Sequence, residues 1–190
     1  MARRPSLSAQ HSMKPRTAMA WLLATLIGVT LSHLQVQKVD HGFLLEVDGR
    51  PVDVQGWWAD AVNGWQRDCS RVERWPAQDP RLAGALQALQ AESPPASHSA
   101  RIVNTWVSGP WMLVQVGFDE LMPAVVLLKR HGADWGLVPR GVWSGQTHPW
   151  RPGPLIRAYL QQQVPLAPAA LLACFEPQTA STHASPNRMP

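Results

Sequence analysis

The sequence predicts an α+β protein. It reads as an N-terminal signal or anchor helix, then helices packed on a mainly antiparallel sheet, a four-stranded meander with a closing C-terminal helix. Three observations carry this. Residues 18–31 form an uncharged apolar run behind Arg3, Arg4, Lys14 and Arg16. Apolar residues then recur at helical spacing before residue 93. Four strand-like runs follow between residues 102 and 143, joined by connections too short for anything but antiparallel neighbours.

The apolar run is preceded by basic residues only, and no acidic residue stands before Asp40. That is the pattern of an export signal or a membrane anchor. Residues 1–17 read as a basic cytoplasmic tail and 18–34 as signal peptide or transmembrane anchor. The 14 residues of the run suit a signal h-region better than a spanning helix, which needs about 20. No Ala-x-Ala cleavage site closes it, and Thr30-Leu31-Ser32 is the nearest substitute. Both outcomes stay open. A start at Met13 rather than Met1 would give a more ordinary leader. Residues 35–176 then form a periplasmic α+β domain, and 177–190 a polar, disordered tail.

Leu34 to Val39 reads as a strand. Phe43, Leu45 and Val47 alternate, Asp48-Gly49 follows, and Val52 and Val54 alternate again. An Asp-Gly pair between alternating runs signals a hairpin, because both turn positions need positive φ. Trp58, Val62, Trp65, Cys69 and Val72 are spaced 4, 3, 4, 3. This predicts a helix over 57–75 with that stripe, Cys69 included, facing the core. Asp79-Pro80 opens a second helix carrying Leu82, Leu86 and Leu89, and Ser93-Pro94-Pro95 ends it. The meander strands are 102–107, 111–118, 122–130 and 135–143. The third is apolar on both faces and therefore central. Pro139 makes the fourth an edge or gives it a bulge. Helices from Leu155 to Gln163 and after Pro168 close the chain.

Composition excludes one class of partner. Of 17 Lys and Arg residues, four precede residue 18, while all 13 Asp and Glu residues follow it. The exported part therefore carries 13 basic and 13 acidic groups, and no basic stripe remains to track nucleic-acid phosphates. The two cysteines, Cys69 and Cys174, read as one disulfide in an oxidising compartment, with two buried thiols as the alternative.

The runs Trp111-Met112-Leu113-Val114-Gln115-Val116, Val125 to Leu128 and Trp135-Gly136-Leu137-Val138 carry a resemblance. Together with two helices, a linker and a closing helix, the stretch 57–163 resembles exported nuclear-transport-factor-like (cystatin-like cone) domains. The resemblance implies a sheet with helices against it. One branch of that superfamily, the single-pass periplasmic scaffolds of type IV secretion machines, has a similar layout. The fold hosts enzymes, binders and scaffolds alike.

No catalytic motif is present. Gly141-Val142-Trp143-Ser144-Gly145 misplaces the serine of a nucleophile elbow, and there is no zinc-protease helix or phosphate loop. His131, Asp134 and His148 are the nearest acid–base or metal candidates, against turn capping as the plain alternative. Ten tryptophans are the compositional outlier. Trp57, Trp58, Trp65, Trp143 and Trp150 suit either an aromatic cleft or the core. Trp143 and Trp150 flank a loop with Gln146, Thr147 and His148, so Trp143, Gln146, His148 and Trp150 are the candidate binding residues. Leu137 to Gly141 matches a thrombin cleavage site but lies inside the domain, and it reads as strand.

These readings converge on a non-enzymatic domain in the bacterial periplasm, inner-membrane-anchored or released. It would need no cofactor or metal and would bind a protein partner of the envelope, with a secretion or conjugation scaffold as one such role. The membrane would be engaged through residues 18–34 if uncleaved, and nucleic acid not at all. The alternative is a small-ligand or glycan-binding domain using exposed tryptophans. A hydrolase around His131 and His148 is the third.

Overall fold

The computed structural model describes residues 34–39 and 42–177, together with Met19. The expected cytoplasmic tail, nearly all of the signal or anchor run, and the C-terminal tail beyond Pro177 lie outside the described residues. Among the described residues no helix is long and apolar enough to cross a membrane. The chain divides into two compact units that meet between Val52 and Asp53.

The first unit contains a three-stranded antiparallel sheet of β1 (Leu34–Val39), β2 (Gly42–Val47) and β3 (Arg50–Val52). Leu34 is part of β1 and pairs with Val47. Leu34 therefore belongs to the sheet rather than to the preceding apolar run. Asp48 (φ 49°) and Gly49 (φ 76°) form the β2–β3 turn with positive φ at both positions, as the Asp-Gly pair predicts. Val36, Leu45 and Val52 lie opposite one another on one face of the sheet.

The second unit is α+β. Its elements are α1 (Val54–Gln66), a 3-10 turn (Pro80–Leu82) running into α2 (Ala83–Glu92), and a second 3-10 turn (Ala96–Ser99). The strands β4 (Arg101–Ser108), β5 (Trp111–Gly117), β6 (Ala124–His131) and β7 (Asp134–Ser144) follow, then α3 (Pro152–Gln163) and α4 (Ala169–Ala173). The strands form an antiparallel meander in the order β4-β5-β6-β7. This is the expected sheet, with β6 between two neighbours because both its faces are apolar.

Period-two alternation sends the side chains of β5 and β6 to two separate cores. Met112, Val114, Val116, Val126 and Leu128 pack with Leu82, Ala85 and Leu89 of the α2 region on one face. Leu113, Val125 and Leu127 pack with Ile156 and Leu160 of α3, Leu171 and Leu172 of α4, and Phe175 on the other. Each fully buried leucine contributes about 1.5–3 kcal/mol from burial alone. β7 is an edge strand and also bulged. The pairing passes from Val126↔Val142 to Leu128↔Leu137, so Val138 to Gly141 face Leu127 alone. Pro139 lies inside that bulge, where no ladder bond is lost, and Arg140 takes φ 63°.

The first helix differs from expectation in extent and in direction. It stops at Gln66 instead of running to Trp75. The Asp68 carboxylate accepts the Ser70 N–H at 3.0 Å, a local turn that competes with helix. Glu73 then pairs with Val107 as a bridge on the free edge of β4. Cys69 consequently lies beyond the helix and is exposed, not on a buried stripe. It nevertheless bonds Cys174, with Cα atoms 5.8 Å apart, and the link ties the segment after α1 to the end of α4.

Candidate functional site

Helix α1 carries two rows at the same 4, 3, 4 spacing, on opposite faces. Gly56, Asp60, Asn63 and Arg67 form a polar row. Val54, Trp58, Ala61 and Trp65 form an apolar one. The polar row is the one that meets the rest of the unit. Asp60 accepts from Arg151 Nε and from Arg157 Nη2, both at 2.7 Å. Asn63 Nδ2 donates to the Ala173 carbonyl at 2.8 Å. Arg67 pairs with Glu176. At the start of the helix, the buried carboxylate of Asp53 accepts the Gly56 N–H at 2.7 Å, a standard N-cap, and also the Arg151 N–H at 2.8 Å. Gly56 is required there, because a Cβ would stand 2.0 Å from Asp53 Oδ2.

The apolar row is therefore turned outward. Trp58 is 58% exposed, Trp65 80% and Val54 45%, with Trp57 beside them at 58%. Trp58 and Trp65 of the stripe that predicts a core-facing helix are on the surface instead, whereas Val72, beyond the helix, does pack against the core. Periodicity reveals that a helix has two faces but does not say which one is covered. Here ion pairs and hydrogen bonds to α3 and α4 decide it. Asp60 is the sole charged residue of α1, so the outward face carries no charge.

Beside the polar row lies a cleft of about 500 Å³, lined by Asp60, Asn63, Arg67, Trp150, Arg157 and Glu176 among others. Trp150 is the one candidate binding residue that lines it. Trp143 packs against the core beneath α3 and α4. Gln146 and His148 are exposed and do not line this cleft. The remaining described tryptophans have structural contacts. Trp106 is buried edge-on to Phe175 and under Arg74. Trp75, Trp111 and Trp135 lie beneath Arg81, Lys129 and Arg130. Trp57, Trp58 and Trp65 are not among the residues lining the Trp150 cleft, so the five candidate aromatics are not brought together there.

The acid–base candidates are separated as well. His131 and Asp134 pair at the β6–β7 turn, whereas His148 follows Ser144, which pairs with Ala124 at the other end of the strands. Seven strand steps separate the two ends by about 23 Å. Among the described residues no group of three His, Cys, Asp or Glu side chains is placed to hold a metal ion.

Asp53, Asp60, Arg151 and Arg157 carry no motif that marks them in the sequence. The signal for Asp53 was an aspartate three residues before a glycine at a helix start, overlaid by the strand pattern of Val52 and Val54. Comparison with protein-family models, with curated proteins and with solved structures finds no match to this chain.

Proposed function

We propose that this chain is a non-enzymatic domain of the bacterial cell envelope, exported behind its basic, apolar leader and docking a protein partner through the outward face of α1. One observation carries the reading. Three tryptophans and a valine stand exposed on an uncharged helix face, while the polar face of the same helix is fastened inward. Tryptophan is enriched among the residues that dominate binding energy at protein interfaces. A helix lying on a lipid surface carries Lys and Arg along its polar face. Within Val54–Gln66 the single charge is the inward Asp60, and the one basic group that continues the polar row, Arg67 at the C-cap, is paired with Glu176. That contrast favours a protein over a bilayer. The Cys69–Cys174 disulfide fits an oxidising compartment.

The test is the double variant Trp58→Ala, Trp65→Ala in the full chain, expressed in its own host. Its melting temperature should stay near that of the parent, since surface changes cost within about 0.5 kcal/mol. On native gels of solubilised envelopes, the parent should run within a larger assembly and the variant alone. An assembly unchanged by the double substitution overturns the reading.

A second reading, a small-ligand or glycan-binding domain, is supported by Trp150. It places an aromatic ring beside the amide and guanidinium groups of Asn63, Arg67 and Arg157 in an open cleft. Loss of ligand binding in Trp150→Ala, with α1 variants silent, would select it.

A further inference from the structure

On the opposite side of the sheet from α3 and α4 lies a second cavity, of about 360 Å³, within the range of small-molecule pockets. Leu89 of α2, Val126 of β6 and Leu137 of β7 form its inner walls. Phe118, Met122 and Val142 line it nearer the mouth. Met122 is 46% exposed and Val142 39%, so apolar surface continues out to the rim.

The polar groups at this cavity divide into two kinds. Two of the three serine hydroxyls, those of Ser97 and Ser144, are already engaged. Ser97 donates its hydroxyl to the Gln90 carbonyl at 2.7 Å and accepts the Ser93 N–H at 3.2 Å. The Ser144 hydroxyl reaches the Pro123 carbonyl at 3.4 Å. A ligand rich in hydroxyls would find few free partners on these walls, and a buried polar group without a partner is costly. The carboxylate of Glu92 is the other kind. It lines the rim, is exposed, and forms no ion pair or hydrogen bond with a described residue. Apolar walls and one open carboxylate at the mouth complement one ligand shape.

We infer that this cavity binds a small amphiphilic amine, with its aromatic or branched apolar body between α2 and the β6–β7 pair and its protonated amine at Glu92. The inference is independent of the α1 face, which belongs to a different part of the unit. It assigns a ligand class to a site that none of the tryptophans lines.

The probes are 2-phenylethylamine, 2-phenylethanol and 3-phenylpropionate, which share a ring and differ in charge. The full chain, held in amphipol, is labelled at its methionine methyl groups. Met122 reports the mouth of the cavity and the fully buried Met112 reports the integrity of the core. The amine should shift the Met122 methyl saturably. It should bind about two- to fivefold tighter than the alcohol, the gain expected of one exposed ion pair. The carboxylate should bind weakest. Glu92→Gln should abolish the amine's advantage and leave the alcohol unaffected. Val142→Trp, which narrows the mouth, should abolish the shift while the Met112 signal stays in place. If that variant disturbs Met112, the Glu92→Gln comparison decides alone. No saturable shift at Met122, or equal binding of amine and carboxylate, overturns the inference.

Discussion

The carboxylate of Asp53 accepts the backbone N–H of Arg151 at 2.8 Å, across 98 residues of chain. The same carboxylate caps α1 through Gly56. One buried side chain therefore starts the first helix of the unit and holds the segment that leads into α3. Arg151 returns the link through its side chain to Asp60, one helical turn beyond Gly56. The direction in which α1 presents its tryptophans rests on this pair of ties.

Asp53→Ala should therefore destabilise more than the loss of an ordinary cap, because two backbone N–H groups lose their acceptor. We expect a loss of about 2–3 kcal/mol and a melting temperature lower by roughly 6–12 °C. Asp53→Asn keeps an acceptor oxygen and should lose less. Gly56→Ala should move in the same direction as Asp53→Ala, since its methyl group displaces the carboxylate. Thermal melts by circular dichroism compare the three, and an Asp53→Ala variant as stable as the parent contradicts the assignment.

The disulfide makes a second prediction. Cys69–Cys174 closes a loop of 105 residues and anchors the end of α4, whose Leu171 and Leu172 are buried. Cys174→Ser should cost about 2–5 kcal/mol, and non-reducing peptide mapping of the parent should recover the two cysteines linked. Two freely alkylated thiols under denaturing, non-reducing conditions rule it out.

Asp79 gives a pH signature. The Arg81 guanidinium donates to its carboxylate at 3.0 and 2.7 Å, and the Arg81 N–H donates at 2.9 Å. The side-chain bond first, and the backbone bond second, hold its pKa below the usual aspartate value. A carboxylate lowered by folding contributes stability that is full above its unfolded pKa of about 3.9 and is lost as pH falls through the folded value. The stability gap between the parent and Arg81→Ala should thus be constant at neutral pH and shrink below about pH 4. Carboxyl NMR titration should show the Asp79 midpoint rising in Arg81→Ala.

Export is tested by topology. A reporter active only in the periplasm, fused after residue 176, should be active, and a cytoplasm-only reporter there should be silent. Mass analysis of the purified chain distinguishes cleavage near Ser32 from retention of residues 18–34. The reverse reporter pattern removes the envelope from the proposal.

Much of the fold is legible in the sequence because it is written in short-range patterns. Alternation marks the strands, and Asp48-Gly49 marks a turn that both residues must make with positive φ. Pro139 marks a bulge, and Ser93-Pro94-Pro95 a helix end. The candidate site is legible only in part. Trp58 and Trp65 stand out as a stripe, but its outward direction depends on Asp60 meeting Arg151 and Arg157, some 90 residues away. Long-range ion pairs leave no periodicity behind. Trp143 and Trp150 flank one loop, and the end of β7 sends the first to the core and the second to a cleft. The cysteine pairing followed from the count of two, although Cys69 reaches Cys174 from an exposed turn rather than a buried helix face.

The central claim is that the apolar row of α1 is a contact surface for a protein. Its most direct test places a photo-crosslinking phenylalanine analogue, one at a time, at positions 58, 59, 65 and 66 of the full chain in living cells. Positions 58 and 65 lie on the outward row, and 59 and 66 lie one helical step of about 100° away. The claim predicts a discrete protein adduct from 58 and 65 and little or none from 59 and 66. Adducts to lipid alone, equal yields at all four positions, or no adduct at 58 and 65 would contradict it.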